Sequence, residues 1–361
     1  MAREPRSARP IFDAHHDALQ RALDLGHDLA ERTPGQFDLH RALEGGVGTS
    51  VFACWVDASF GPGAAGPRAH ALMDAFDDLA ERRPDRLRRV RRRADLDQGP
   101  DDGAHRGILG IEGGHAIEDD LGELERFAER GLRCMTLVWN NHLAWIRSCA
   151  DGGAGSPDGI SSFGRDVVRR MESLGVAVDL SHAGERAFFD VMECATKPVI
   201  ASHSNCKALR DHRRNLTDEQ LRALAANGGV VGIVFHPGFL DAAAGEEEAR
   251  VRTTDAYRRA EGTGETGRFL AQSDVMQRDA APLSIERVVD HVEHAVAVAG
   301  PEHVGLGSDF DGIQRGPAGL EDVSMLGALV ERMRARGFDE KTVDGVLGDN
   351  FRRVFSRTLP Q

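Results

Sequence analysis

The histidines and carboxylates of this chain fall into short clusters, and several clusters stand directly behind apolar runs. The first reads Asp13-Ala14-His15-His16-Asp17. Residues two apart on a strand point to the same side, so His15 and Asp17 can offer a nitrogen and an oxygen to one metal ion. Alone, such a pair at a strand end is more often a hydrogen-bonded turn. In Gly110-Ile111-Glu112-Gly113-Gly114-His115, a carboxylate able to bridge two cations sits among glycines that let backbone approach closely. Asp179-Leu180-Ser181-His182 and Ala201-Ser202-His203-Ser204 each put a histidine just past an apolar run, and Gly307-Ser308-Asp309-Phe310-Asp311-Gly312 adds a carboxylate. Any one of these could be an ordinary satisfied polar residue. Five strand ends of the same kind point together to metal chemistry.

The donors His15, Asp17, Glu112, His182 and His203 suffice for two borderline divalent ions, Zn2+ being the expected metal. Two such ions about 3.5–4 Å apart lower the pKa of a shared water and polarise a carbonyl, which suits hydrolysis at neutral pH. Asp309 is then left for proton transfer.

Eight short apolar runs must position these groups: ARPIFDAH, GVGTSVFACWV, RGILGIEG, LRCMTLVW, GVAVDLSH, KPVIASHS, GGVVGIVF and EHVGLGSD. Stretches with helical periodicity lie between most of them, among them DALQRALDLGHDLAER, GPRAHALMDAFDDLAER and LSIERVVDHVEHAVAVAG. This alternation predicts an α/β fold, a single (β/α)8 TIM-like barrel over 1–361 whose reactive groups sit at the C-terminal strand ends. Residues 241–281 break the rhythm: rich in Ala, Glu, Arg, Thr and Gly, with no sustained apolar stripe, they read as a flexible loop inserted after the seventh strand. Two helices over 323–337 and 339–358 are expected to complete the outer ring.

With 41% hydrophobic residues, the chain can bury one large core. A net charge of −13 argues against nucleic-acid and anionic-membrane partners and leaves a small molecule as the expected one. The basic run from Arg86 to Arg93 reads as a solvated helix face. Five cysteines without CxxC pairs read as reduced thiols, and MAREPRSARP leads into IFDAHHD without the apolar core of an export signal. A cytoplasmic protein, with a homodimer left open, is the expectation.

Residue by residue, the chain resembles the membrane (renal) dipeptidases, peptidase family M19 of the amidohydrolase superfamily. The family's D-G-H-N-D is similar to Asp13 to Asp17, its I-E-G-G to Ile111 to Gly114, and its L-G-hydrophobic-D-L-S-H to Leu174 to His182. S-H-S matches Ser202 to Ser204, an R-N pair falls on Arg214-Asn215, and Val304 to Gly312 and Leu347 to Phe355 resemble the C-terminal signatures. The resemblance implies that His15 and Asp17 hold one metal, His182 and His203 the other, and that Glu112 bridges them. It implies Arg214 as the anchor of a substrate carboxylate, whereas RDHRRN by itself leaves that arginine on the surface. The implied activity is hydrolysis of small dipeptides by a metal-bridging hydroxide, with a C-terminal D-residue accepted.

One departure stands at the fourth predicted strand. Family members carry a histidine there, in an L-T-H setting, that contacts the scissile carbonyl; here Trp139 takes its place, followed by Asn140 and, two residues on, His142. Asn140 or His142 could supply the missing donor, the metals alone could polarise the carbonyl, or Trp139 could simply pack. The competing readings are another amidohydrolase reaction on the same centre, on an N-acyl amino acid, lactone or cyclic amide, and a non-catalytic barrel.

Overall fold

The computed structural model describes residues 10–97 and 103–361. The basic residues ahead of Pro10, read above for an export signal, lie outside them. Nine parallel strands form one sheet: β1 Ile11–His16, β2 Val47–Trp55, β3 Leu87–Arg89, β4 His105–Glu112, β5 Leu132–Thr136, β6 Ala177–Asp179, β7 Ile200–Ala201, β8 Val230–Ile233 and β9 Val304–Leu306. Their order is β2-β1-β9-β8-β7-β6-β5-β4-β3, and pairing of β2 with β4 from Thr49↔Arg106 to Trp55↔Glu112 closes eight of them into a barrel. All eight expected strands are therefore present in a (β/α)8 arrangement.

The apolar runs form strands because both faces are covered. Inside the barrel, Phe12, Val51, Ile108, Cys134, Ala177, Ile200 and Val230 form one buried cluster with Phe351, Val354 and Phe355 of the C-terminal helix Asn350–Thr358. Phe12 stacks on Phe351 and Phe355 at 5.6 and 5.3 Å. Gly305 on β9 makes room for this plug, since a Cβ there would lie 2.4 Å from the Phe351 ring. Capping that end with packed rings leaves the opposite end, where the strands finish, as the open one.

The ninth strand corrects the reading of the basic run. Leu87 and Val90 are buried, so β3 pairs with the first half of β4 while β5 takes the second half. The arginines between and after them face solvent carboxylates, Arg89 reaching Glu81 at 2.8 Å and Arg92 reaching Asp95 at 3.4 Å. The first helix is also shorter than its periodicity suggests. It spans Leu19–Leu25 and stops at Gly26, whose left-handed backbone (φ 67°) ends the turn.

Residues 241–281 are a second correction. They fold into helices at Ala242–Arg252, Asp255–Arg258 and Gly264–Asp279 around a small core of Val251, Val275, Met276 and Ala280. The apolar residues are too few per helix to show as a stripe, yet pooled from two helices they bury one another. Buried Glu248 meets buried Arg315 at 3.3 Å, and the Thr266 hydroxyl donates to Asp24 at 2.6 Å, tying the segment to the rim on both sides. No helix among the described residues is long and apolar enough to cross a membrane.

Candidate metal centre

Strict alternation along β1 would not bring His15 to the barrel mouth. Phe12 and Ala14 belong to the inner cluster, so the next inward position would be His16. Between Asp13 and His16 the register against β2 slips, with three steps on β1 against two on β2. This bulge reverses the parity. His16 stacks on Phe37 outside the barrel at 3.7 Å, and His15 turns to the mouth.

There Glu112, at the end of β4, divides its two oxygens. Oε1 lies 2.9 Å from His182 Nε2 and 3.4 Å from His203 Nε2, while Oε2 lies 3.5 Å from His15 Nε2. His15 Nε2 is also 3.5 Å from Asp17 and 4.0 Å from Asp309. Two sets, His15 with Glu112 and His203, and His15 with Asp17 and Asp309, bring ligand atoms close enough to share an ion. The structure thus brings His15, Asp17, Glu112, His182 and His203 together with Asp309 in one place. His182 and Asp309 both adopt left-handed backbone, φ 66° and 63°, a conformation uncommon outside glycine that gathers at functional sites.

The protonation states of His182, His203 and Glu112 suit ligation. Burial and Arg214 push His182 down to about 4, and burial and His15 lower His203, so both rings are neutral at pH 7. Burial opposes charge on Glu112, yet the facing His15 holds it well below the usual carboxylate range. His15 is raised against its own burial by Glu112 and Asp17, the same field that would draw a cation. Burial and the neighbouring Asp17 push Asp309 well above the ordinary range.

Two residues within the quoted motifs but not singled out complete the site. Asp179, at the end of β6, accepts from Thr136 Oγ1 and Ser202 Oγ, each at 2.6 Å. Ser202 Oγ, its proton given to that carboxylate, accepts from His203 Nδ1 at 2.8 Å, which leaves His203 Nε2 with a bare lone pair. The signal was available in the sequence, since a carboxylate closing an apolar run such as GVAVD is rarely buried without dedicated partners. Across the barrel, Asp13 accepts from Ser308 N and Oγ at 2.8 and 2.6 Å and so ties β1 to the loop carrying Asp309.

The residues present fit a pair of divalent ions. His15 Nε2 and Asp17 Oδ1 are buried without a hydrogen-bond partner, and His203 directs a lone pair at the same space that the ionised Glu112 faces. Buried polar atoms in that condition are costly unless something positive lies among them.

The remaining expected residues separate. Arg214 is buried beside the centre, its Nη2 donating to the His203 carbonyl at 3.0 Å and its Nε without a partner. It lines a cavity of about 160 Å3 together with His182, Cys149, Lys207 and Arg213. Trp139 packs edge-on against Trp55 at 5.2 Å and lies 6.3 Å from the His182 ring. Asn140 Oδ1 is 3.0 Å from His182 Nδ1. His142 is turned away, its ring nitrogens engaged by the Asp151 carbonyl and Ser148 N at 3.1 and 3.3 Å. Asp311, two residues past Asp309, is engaged elsewhere, accepting from Arg21 and from the backbone N of Gln36, both at 2.7 Å.

Comparison with known proteins follows this geometry. The model of one protein family, membrane dipeptidases (peptidase family M19), matches residues 2–359. An uncharacterized dipeptidase of Schizosaccharomyces pombe is 35% identical over 257 residues, which is 69% of this chain and 52% of that protein, so the match spans about half of the relative's length. The crystal structure of dipeptidase AC, a metallopeptidase of family M19, superposes with a TM-score of 0.81 at 29% identity, covering 98% of this chain and 100% of the other. A metallopeptidase from Rhodobacter sphaeroides, bound to a phosphinate mimic of the dipeptide L-Ala-D-Ala, gives 0.79 at 28% identity over 97% and 99% of the two chains.

Proposed function

The chain belongs to the membrane dipeptidase family, peptidase family M19, and on that premise we propose that it is a dipeptidase working with two divalent ions. One observation carries the proposal: Glu112 presents one oxygen to His182 and His203 and the other to His15, the arrangement required of a carboxylate shared by two cations. His15 and Asp17 would hold the first ion and His182 and His203 the second. Zn2+ is the metal that best suits this neutral-nitrogen and carboxylate set. When bound, such a pair lowers the pKa of a shared water and polarises the substrate carbonyl.

The chain's own residues do the rest. Asp309 lies at the rim of the centre, 4.0 Å from His15, and takes a proton from the attacking water and returns it to the leaving amine. The elevated affinity for protons that burial and Asp17 give its carboxyl suits that task. Arg214 holds the free carboxylate of the substrate in the adjoining cavity, with His182 on the wall shared by the two. The paired Trp55 and Trp139 form an apolar wall beside His182. The phosphinate mimic of L-Ala-D-Ala on the Rhodobacter sphaeroides protein supports a small dipeptide with a D-residue at its C-terminal position. Five free cysteines, three of them buried, support a reducing, cytoplasmic setting.

A second reading is favoured by Trp139, which stands where the resemblance implies a carbonyl-contacting histidine: hydrolysis of an N-acyl amino acid, lactone or cyclic amide on the same centre. Assay of the purified enzyme against L,L- and L,D-dipeptides, N-acyl amino acids and lactones separates the two. Dipeptide hydrolysis well above the other classes supports the first reading, and turnover confined to the others replaces it.

A further inference from the structure

We propose that Asn140 is a positioning residue that holds His182 in the tautomer whose Nε2 is free to bind a metal. The inference rests on the metal-centre reading above and reassigns a side chain that the sequence offers as a donor to the substrate carbonyl.

The two histidines facing Glu112 Oε1 are oriented by unequal means. His203 Nδ1 is bonded to Ser202 Oγ, backed by Asp179, and all three residues are buried. His182 Nδ1 has the side-chain oxygen of Asn140, at 3.0 Å, on an exposed loop position after β5. A carbonyl oxygen can only accept, so His182 Nδ1 carries the ring proton and Nε2 keeps its lone pair. That Nε2 points at Glu112 Oε1, 2.9 Å away, and lies 3.1 Å from His203 Nε2. The three atoms brought together are lone-pair bearers, an arrangement that a cation reconciles and a proton can satisfy only in part.

The same loop grips the His182 main chain. Cys149 N donates to the His182 carbonyl at 2.8 Å, and Ser148 bridges to Ala183. Next to Asn140, Trp139 is wedged against Trp55, which fixes where the amide can reach. The loop that lacks the family's carbonyl-contacting histidine thus controls a metal ligand through its neighbouring residue. Partners of this kind on ligating histidines are worth roughly 10- to 100-fold in metal affinity or activity. Since the partner of His203 is buried and backed by a carboxylate while that of His182 is a single exposed amide, His182 is the more easily loosened ligand.

The test uses what an acceptor can and cannot do. Wild type, Asn140→Ala and Asn140→Asp are loaded with zinc and challenged with a chromophoric chelator, metal release is followed optically, and the His182 ring tautomer is read by 15N NMR. An aspartate keeps the acceptor and loses the amide donor. The expected result is that Asn140→Ala releases one metal equivalent about 10-fold faster or more while the other is unaffected, and that Asn140→Asp releases both as wild type does. Unchanged release from Asn140→Ala overturns the proposal. So does Asn140→Asp behaving like Asn140→Ala, and so does normal metal retention with lost kcat/KM in both variants, which would return Asn140 to the substrate. Failure of the underlying reading has a separate signature, because wild type would then not load two metals at all.

Discussion

Truncating Arg214 to alanine should reduce turnover of dipeptides selectively, and the structure narrows the size of the effect. The guanidinium is buried beside the metal centre, where a carboxylate partner would be partly desolvated. Truncating one member of such a pair costs about 2–5 kcal/mol. Here one donor, Nη2, is already committed to the His203 carbonyl at 3.0 Å, while Nε has no partner and Nη1 is held only loosely by Ser204 Oγ at 3.5 Å. With part of the fork occupied, the lower half of the range applies, about 2–3 kcal/mol, or roughly a 30- to 150-fold loss in kcat/KM at about 1.4 kcal/mol per tenfold. Losing the bond to the His203 carbonyl also disturbs a metal ligand, so the variant alone is ambiguous. The assay therefore measures kcat/KM for a dipeptide and its C-terminal amide, on wild type and Arg214→Ala. Damage to His203 lowers both substrates alike and cancels in the ratio, whereas the carboxylate contact appears only for the free acid. Wild type should prefer the free acid by roughly the factor given above, and the preference should collapse in the variant. Equal turnover of free and amidated dipeptides by wild type would refute the carboxylate anchor and favour the second reading of the function.

Other perturbations have equally definite outcomes. Asp309→Asn should retain both metals while kcat falls about 100-fold or more, in line with general acid-base contributions; loss of a metal equivalent, measured by elemental analysis, would make Asp309 a ligand instead. Asp311→Ala strands the Arg21 guanidinium, 2.7 Å from that carboxylate with both side chains buried, and should cost about 3–5 kcal/mol in urea unfolding. Per folded, metal-loaded molecule its kcat should be near wild type, and a large drop would give Asp311 a part in catalysis. His105 is fully buried and pushed down to about 3 by burial. Between that value and about 6.5 the unfolded chain binds the extra proton and the folded chain does not, so its contribution is complete above about 6.5 and is lost as pH falls. By pH 5 the loss from this residue reaches at most about 2 kcal/mol, and metal-free His105→Gln should show a smaller stability difference between pH 7 and pH 5 than metal-free wild type. An identical difference would remove His105 from the acid response.

Much of this molecule was legible because a parallel barrel buries both faces of its strands, so each strand stands out as an apolar run and each ligand as a polar residue just after one. What escaped did so for local reasons. Leu87 and Val90 are the only buried residues in their arginine run, too few to announce β3. The helices at 242–252 and 264–279 share a core that neither displays alone. Alternation puts His15 and Asp17 on one side, but counted from the inward Phe12 and Ala14 it would turn His15 away from the mouth; that His15 faces the mouth arises from the bulge between Asp13 and His16, an irregularity no periodicity foretells. Asn140 and His142 were equal candidates in the sequence; only the fold turns one toward His182 and the other toward its own loop.

The central claim, two ions shared through Glu112, is tested most directly by titrating zinc into chelator-stripped protein while following bound metal and dipeptide hydrolysis together. The account predicts that activity rises to a plateau near two equivalents per chain, and that Glu112→Gln binds less metal and stays nearly inactive throughout. Full activity at one equivalent, or a Glu112→Gln protein that reaches wild-type turnover, would contradict it.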